Sequence, residues 1–582
     1  MSIPRPEYPR PQLVRGDDTW LNLNGKWAFE IDNAGSGGPR GLYKHDNYAD
    51  EIIVPFVPES KASGIGNEDY MFRVWYARRF ELPCGFDAEK GRIILHFNAA
   101  DYETQAWMNG EFLGAKRGGF TPFEYDVTEF VQKGENLLTV TCYDDVRDPL
   151  QASGKQSSSY GNHGCFYTRC TGIWQTVWLE YVPNTYIKNI KMLPDVRNEK
   201  LDVTVNLSGS AYVSAKVTYK GEDVTFGGCD AVNGVARFSL EIKDPKLWNP
   251  GSPEIYDIEL CAGEDTVKSY FGMRDVEIVG NKFIVNGKSV FMRLVLDQGY
   301  YPDGIYTAKD DAEIRRDIEL SMSAGFNGAR MHMKIFEPAY IYHADMMGYM
   351  LWGEYPNWGL DIARKEAMAS MLPEWLRMLE RDVNSPAIIG WCPFNESWPG
   401  ESDTLFNTVY DVTKMFDPMR PIIDTSGWIH VGKTDMFDVH DYVQVPDEFK
   451  GHYDPLVTGE GTPFYNGEGG APSAKYDGKK PYFVSEFGGS FWDIDTKETS
   501  AGQESGNPWG YGEAPKTKTE LFERMKALCT ILLDNPCICG FCYTQFTDVM
   551  QEMNGIFSYD RRPKVDMDAL REVISRKAKI ED

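Results

Sequence analysis

The chain has 582 residues, 42% of them hydrophobic, with 60 basic against 87 acidic side chains and a formal charge of −27. At ~150 residues per domain this predicts three or four domains rather than one core. So acidic a chain argues against nucleic acid and anionic membranes as partners, and no segment approaches the ~18 uninterrupted apolar residues of a membrane span. Residues 1–9 hold no apolar h-region of a signal peptide. The eleven cysteines are odd in number and show no framework spacing, a free-thiol inventory that suits a reducing compartment. The expected location is cytoplasmic.

Residues 1–182 read as a β-sandwich. Alternating runs such as 92–97 and 136–141 lie between Gly, Asn and Pro turns. Trp20, Trp27, Trp75, Tyr76, Trp107, Trp174 and Trp178 read as core and inter-sheet packing. Residues 183–279 are again short strands, for example 200–207, in a segment the size of one small sandwich. Near residue 280 the pattern changes to helices alternating with short apolar strands. Thr307-Ala308-Lys309-Asp310 has the spacing of a capping box, and Ile314, Ile318 and Met322 then repeat on one helical face. Strands are predicted at 289–296, 326–332, 349–352, 387–394, 421–423, 436–439, 482–485 and 540–545. Eight strands alternating with helices over 280–582 predict a (β/α)8 TIM barrel. A Gly/Pro/Tyr-rich stretch, 444–480, reads as a long loop over the barrel mouth. Cys537, Cys539 and Cys542 cluster without a nearby histidine and read as strand core.

Two glutamates end such strands. Glu396 closes Ile388-Ile389-Gly390-Trp391-Cys392-Pro393-Phe394-Asn395-Glu396, and Glu486 closes Tyr482-Phe483-Val484-Ser485-Glu486. An acid at the C-terminal lip of a barrel strand reads as chemistry rather than stability. A pair is what glycoside hydrolysis needs, one acid to protonate the leaving oxygen and one to attack or to activate water. The plain alternative is two carboxylates satisfied by loop backbone.

The chain resembles glycoside hydrolase family 2. The resemblance rests on Leu23-Asn24-Gly25-Lys26-Trp27, Trp75-Tyr76-Ala77-Arg78-Arg79-Phe80, Trp107-Met108-Asn109-Gly110, Thr171-Gly172-Ile173-Trp174-Gln175-Thr176-Val177-Trp178, Tyr270-Phe271-Gly272-Met273-Arg274, Asn395-Glu396 and Ser485-Glu486-Phe487-Gly488, in that order. It implies a jelly-roll sugar-binding domain, an immunoglobulin-like domain and a catalytic TIM barrel, and a retaining exo-β-glycosidase acting on a carbohydrate substrate. Glu486 would be the nucleophile. Glu396 would be the acid/base, its pKa raised while Glu486 is charged. Asn395 would bind the sugar 2-hydroxyl, and Arg330 would hold the nucleophile. His332, Glu354, Asp297, His440 and Tyr442 are further candidates at strand ends, Tyr442 as a donor to the nucleophile. Tyr543 stands where many members have tryptophan, at the floor of the sugar subsite. Trp352, Trp391, Trp398 and Trp492 are candidate stacking platforms. Some members bind magnesium or sodium, but no ligand spacing here compels a metal and no cofactor is expected. A homo-oligomer is left open.

Two other classes compete: a carbohydrate-binding protein without catalysis, and a cellulase-type or mannanase-type barrel acting within polymers. The appended β-domains favour a pocket that closes on a chain end. For the sugar, glucuronidases of the family carry Asn-x-Lys just before a Gly-Ile-Phe-like segment. Here Glu552-Met553-Asn554 precede Gly555-Ile556-Phe557. An acid near a substrate carboxylate costs roughly 1 to 4 kcal/mol at ~4 Å. The expectation is a neutral β-sugar, β-galactoside first. The alternative is a β-hexuronidase in which Lys334 or an arginine elsewhere in the mouth meets the carboxylate. If both acids are correctly placed, their carboxyl groups stand about 5–5.5 Å apart.

Overall fold

The computed structural model describes residues 3–397, 403–467, 476–495 and 507–582. In the first domain a four-stranded sheet (Trp20–Asn22, Val177–Pro183, Gly91–Phe97, Phe123–Asp126) faces a six-stranded one (Asp50–Val54, Gly25–Ile31, Arg73–Glu81, Glu135–Tyr143, Glu103–Met108, Glu111–Arg117). Strand side chains alternate in direction, so Leu95, Phe97 and Leu179 of one sheet meet Trp27, Tyr76 and Val140 of the other in one core. The second domain pairs a three-stranded sheet with a four-stranded one. Its strand Lys200–Leu207 turns Leu201, Val203, Val205 and Leu207 inward, giving a small immunoglobulin-like sandwich.

The third domain is the barrel. Seven parallel strands, Met292–Asp297, Gly328–Met331, Met350–Glu354, Ile388–Cys392, Phe437–Asp441, Tyr482–Gly488 and Ile538–Thr544, form one sheet in which the first pairs with the last. The predicted fifth strand, 421–423, joins only through a bridge to Trp391, whose N–H donates to the Pro421 carbonyl at 3.0 Å. Pro421 has no N–H to extend a ladder, and the Ile422 N–H goes to the Asp435 carboxylate at 2.9 Å instead.

Two local expectations are corrected. The helix Asp311–Ser323 is capped by Asp310, whose carboxylate accepts the Glu313 N–H at 2.8 Å. Thr307 is drawn away by the first domain, its hydroxyl donating to the Trp174 carbonyl at 2.6 Å. The stretch 444–480 is not a plain loop over the mouth. It holds the helix Pro446–Thr458, begun by a proline that needs no donor there, and Asn466 then bonds the His440 backbone in both directions at 2.8 Å.

The mouth is instead approached by the first domain. The barrel's apolar cluster includes Val57, Phe120, Ala152, Tyr167 and Trp174 from that domain. The segment 153–168 lies along the rim: Ser153 and Gly154 N–H groups donate to the Trp358 carbonyl at 2.8 and 3.1 Å, and Gln551 Nε2 donates to the Gly164 and Phe166 carbonyls at 2.7 and 2.9 Å. Arg274 of the second domain reaches the Pro386 and Ile388 carbonyls beneath the barrel. All the cysteines are free thiols, and among the described residues no helix is long and apolar enough to cross a membrane.

Gly154 is a tight point of this docking. Its φ is +59°, and a Cβ there would lie 2.4 Å from the Met333 carbonyl oxygen. Gly154→Ala is therefore expected to cost about 1–3 kcal/mol and to loosen 153–168 from the rim. Denaturant unfolding and limited proteolysis check this; unchanged stability together with unchanged cleavage in 153–168 would contradict it.

Candidate active site

The C-terminal strand ends gather four carboxylate and guanidinium groups around one point. Glu486, on the barrel strand Tyr482–Gly488, is 4% exposed. Its Oε1 accepts from Arg330 Nη1 at 3.1 Å and faces His440 Nε2 at 3.3 Å; its Oε2 accepts from the Tyr442 hydroxyl. The Tyr442 ring is stacked at 3.5 Å on Tyr511. Glu396 follows the fourth strand with φ +41°, in the left-handed region that a side chain enters only under constraint. That turn is held by its N–H donating to the Ser426 carbonyl at 2.9 Å. It aims the carboxylate at His440 Nδ1, 2.7 Å away. One oxygen of each glutamate and a nitrogen of His440 all lie within 4.8 Å of one another. Burial pushes the Glu396 carboxyl up, but the hydrogen bond and charge of His440 outweigh it and hold the group below its ordinary value, opposite to the direction expected from the sequence. The same contact, with Glu486, holds His440 above the usual imidazole value against its burial.

Arg330 ties the site together from the second strand. Besides Glu486 it donates from Nε to Glu354, from Nη1 to the Ser485 carbonyl at 2.7 Å and from Nη2 to Asn395 Oδ1 at 3.1 Å. Glu354 also accepts from His332 Nδ1 at 3.0 Å. Burial pushes Glu354 up and His332 well below the usual range, so the imidazole is neutral with its proton on Nδ1. Asn395 is fixed by Asn357, whose Oδ1 accepts its N–H at 2.9 Å. Its Nδ2 is buried with no partner among the described residues. A buried donor without an acceptor carries a desolvation penalty that a bound ligand relieves.

Three family models match in sequence order: the sugar binding domain of glycosyl hydrolases family 2 over residues 21–183, a second family 2 domain over 185–274 and the family's TIM barrel domain over 276–448. The chain belongs to glycosyl hydrolase family 2. It is 24% identical over 426 residues to a β-galactosidase of Thermoanaerobacter pseudethanolicus, a match covering 69% of this chain and 55% of the relative. It is 24% identical over 459 residues to a β-glucuronidase of Paenibacillus borealis, covering 71% and 74%. The chain thus spans about half the length of the curated β-galactosidases it matches. A Bifidobacterium dentium β-glucuronidase complexed with coumarin-3-O-glucuronide has the same fold, with a TM-score of 0.81 at 20% identity over 96% of this chain and 98% of that one. A Lactobacillus rhamnosus β-glucuronidase aligns with a TM-score of 0.80 at 21% identity over 98% of each chain.

Within this family 2 fold, several candidates lie elsewhere than expected. Asp297 turns from the mouth: its oxygens accept from the Gly299 N–H at 2.8 Å and the Tyr340 hydroxyl at 3.0 Å, and burial lifts its pKa to about 6. Tyr543 points outward, against Phe487 and toward Cys529 and Arg524 of the helix Lys518–Leu533. Alternation along the strand puts Cys542 and Thr544 inside instead, Thr544 bonded to Tyr442 at 3.2 Å. Trp352 lies in the barrel core on Phe483, and Trp391 lies between strand and helices, donating to Asp417 at 2.8 Å. Trp492 is half-buried, with its ring N–H unpartnered among the described residues. Trp398 lies outside the described residues. Lys334 donates to the Gly299 and Tyr306 carbonyls at 2.6 and 2.8 Å inside a cage of aromatic rings, away from the carboxylates.

The sequence reading missed Trp358, Lys155 and Tyr511. Trp358 donates to the Asn395 carbonyl at 3.0 Å. The Lys155 ammonium, carried in from the first domain, sits 4.0 Å from the centre of that tryptophan ring. Burial pushes Lys155 down, yet Cys165, Glu552, Glu396 and Glu486 together hold it above the ordinary lysine value. The Ser153-Gly154-Lys155 segment carried no sequence signal beyond its turn glycine.

Arg330→Met would leave Glu354 and Glu486 buried without their cation. Removing one partner of a buried ion pair costs about 3–5 kcal/mol. A loss below about 1 kcal/mol in denaturant unfolding would contradict the account.

Proposed function

We propose that this chain is a retaining exo-β-glycosidase that removes terminal non-reducing β-linked sugars by double displacement. The observation that carries the reading is the closeness of the two carboxylates. Oxygens within 4.8 Å suit the retaining separation of about 5–5.5 Å between carboxyl groups, whereas inversion needs about 6.5–9.5 Å to admit a water. Glu486 attacks C1. Arg330 and the Tyr442 hydroxyl each bond one of its oxygens and hold it aimed. Glu396 protonates the departing oxygen and later takes a proton from the attacking water. Asn395 Nδ2, the buried donor without a partner, meets the 2-hydroxyl, where a hydrogen bond strengthens as charge builds at C1. Neutral His332, with Nδ1 committed to Glu354, offers Nε2 as an acceptor for another hydroxyl. Trp358 offers an aromatic face beside the acid/base loop. The 153–168 segment across the rim favours a pocket for a chain end over an open cleft.

For the sugar, the first reading is a neutral β-glycoside, with β-galactoside foremost. Glu552 occupies the place expected for a cation. It is 2% exposed and accepts from the Tyr167 hydroxyl at 2.5 Å and from Asn554 Nδ2 at 2.9 Å, so it is a built acceptor that repels a carboxylate. The second reading, a β-hexuronide, has its own observation: Lys155 brings an ammonium to the mouth by a route other than Asn-x-Lys.

The stereochemical test is proton NMR of the first-formed sugar from a β-glycoside. The β-anomer is expected; an α-anomer would overturn the double displacement. A nitrophenyl panel covering galactose, glucuronic acid, galacturonic acid, mannose, glucose, fucose and arabinose ranks the sugars by kcat/KM. A hexuronide above the galactoside would select the Lys155 reading.

A further inference from the structure

His440 is the penultimate residue of the barrel strand Phe437–Asp441, and its ring stands between the two carboxylates. Nδ1 is 2.7 Å from Glu396 Oε1; Nε2 is 3.3 Å from Glu486 Oε1 and 3.0 Å from Ser426 Oγ. The ring has little freedom. Asn466 fixes the backbone on both sides. Gly427, at φ +65°, lies so close that a Cβ would fall 1.9 Å from the ring, so only glycine leaves room for it. The ionisable groups that face it are Glu396, Glu486, Asp438 from its own strand, Arg330 and His332 from the second strand side, and Glu354 from the third. The anions around it outweigh the cations. The Glu396 side chain is 26% exposed, so a substrate seated in the mouth would cover it.

Building on the retaining mechanism proposed above, we infer that His440 stores the proton that Glu396 delivers. At rest the pair holds one proton, on Nδ1 of the imidazolium, and Glu396 is a carboxylate. A bound glycoside dehydrates Glu396 and favours its neutral form. The proton crosses to the carboxylate, leaving a neutral imidazole. Glu396 then gives that proton to the glycosidic oxygen as the C1–O bond breaks and the bond from Glu486 to C1 forms. With Glu486 esterified, Nε2 no longer faces an anion and His440 binds a proton less strongly. The shared proton has left with the alcohol, and loss of the Glu486 charge removes the repulsion that favoured a neutral Glu396, so Glu396 is a carboxylate free to take the proton of the attacking water. As the hydroxyl bonds C1 and Glu486 leaves ionised, the proton returns to His440. His440 is thus a positioning and proton-holding residue that acts through Glu396.

Two arms test this. In 15N-histidine NMR of the full chain, the His440 resonance, assigned by its loss in His440→Gln, is expected to titrate above the ordinary imidazole value of 6.5 and to move down in Glu396→Gln. This arm needs no turnover. A titration at or below 6.5, unmoved by Glu396→Gln, overturns the proposal whatever the enzyme hydrolyses. In kinetics, His440→Gln is expected to move the alkaline limb of kcat/KM toward acid by about one pH unit or more. Glycosides with poor leaving groups should lose about tenfold more than dinitrophenyl glycosides, which need no proton. Continued reaction with a dinitrophenyl 2-fluoro glycoside would show that the variant is folded. Equal loss on all leaving groups with an unmoved limb overturns the proposal. Failure of the wild-type chain to turn over any glycoside would instead count against the glycosidase reading, with the titration still deciding where the proton sits.

Discussion

The mouth of the barrel depends on one buried guanidinium. Arg330 is 2% exposed and meets Glu354, Glu486, Asn395 and the Ser485 carbonyl at once. Two carboxylates could not stand this close to one another in a low-dielectric site without it, because each would lose hydration and gain only repulsion. A planar fork with five donors can serve four acceptors in fixed directions, whereas a lysine cannot. The geometry around Glu486 is therefore set by a network whose members come from the strands Gly328–Met331, Met350–Glu354 and Tyr482–Gly488 and from the turn after Ile388–Cys392. Positions on rigid strands are what hold reacting groups within the tolerance catalysis requires.

A second constraint comes from outside the barrel. Two of the family motifs, at 171–178 and 270–274, supply docking contacts to the barrel, while Trp27, Tyr76 and Phe80 of the others lie in the first domain's own core. Trp174 lies in the barrel's apolar cluster and donates from its ring to the Gly119 carbonyl at 2.8 Å, while its own carbonyl accepts from Thr307. Arg274 and Tyr270 do the same for the second domain, Tyr270 bonding Asp345 at 2.9 Å. Once docked, the first domain can lay 153–168 across the rim and deliver Lys155 beside Trp358. The β-domains thus shape a pocket whose chemistry belongs to the barrel.

What the sequence showed was whatever is local. Strand-end acids, the period-two alternation of the sandwiches and the change of rhythm near residue 280 are all written in neighbouring residues. Of the residues that meet at the mouth, Glu396 and Glu486 stood out because each closes an apolar strand, and Asn395 and Arg330 because of the family resemblance. What failed was what depends on side-chain direction or on distant chain. Tyr543 was placed inside because a one-residue shift in a strand exchanges its two faces. Asp297 was credited to the mouth, yet Gly299 and Tyr340 hold it elsewhere. Thr307 lost the helix cap to a carbonyl from another domain. His440 is only a strand-end candidate in the sequence, since nothing along the chain reveals a ring sandwiched between Gly427 and two carboxylates. Lys155 could not be foreseen at all, since its place depends on how two domains dock.

The charges at the mouth then explain one another. Glu486 is held by a permanent cation and a phenol, whereas Glu396 meets an imidazole, a group that can gain or lose a proton. Separating a fixed carboxylate from an exchangeable one is what allows two identical side chains to do different work. That division rests on Glu486 being the group that bonds to the sugar. The most direct test is incubation of the full chain with a dinitrophenyl 2-deoxy-2-fluoro β-glycoside, followed by peptide mapping. The account predicts one sugar esterified to Glu486; a label on Glu396 or any other residue would contradict it.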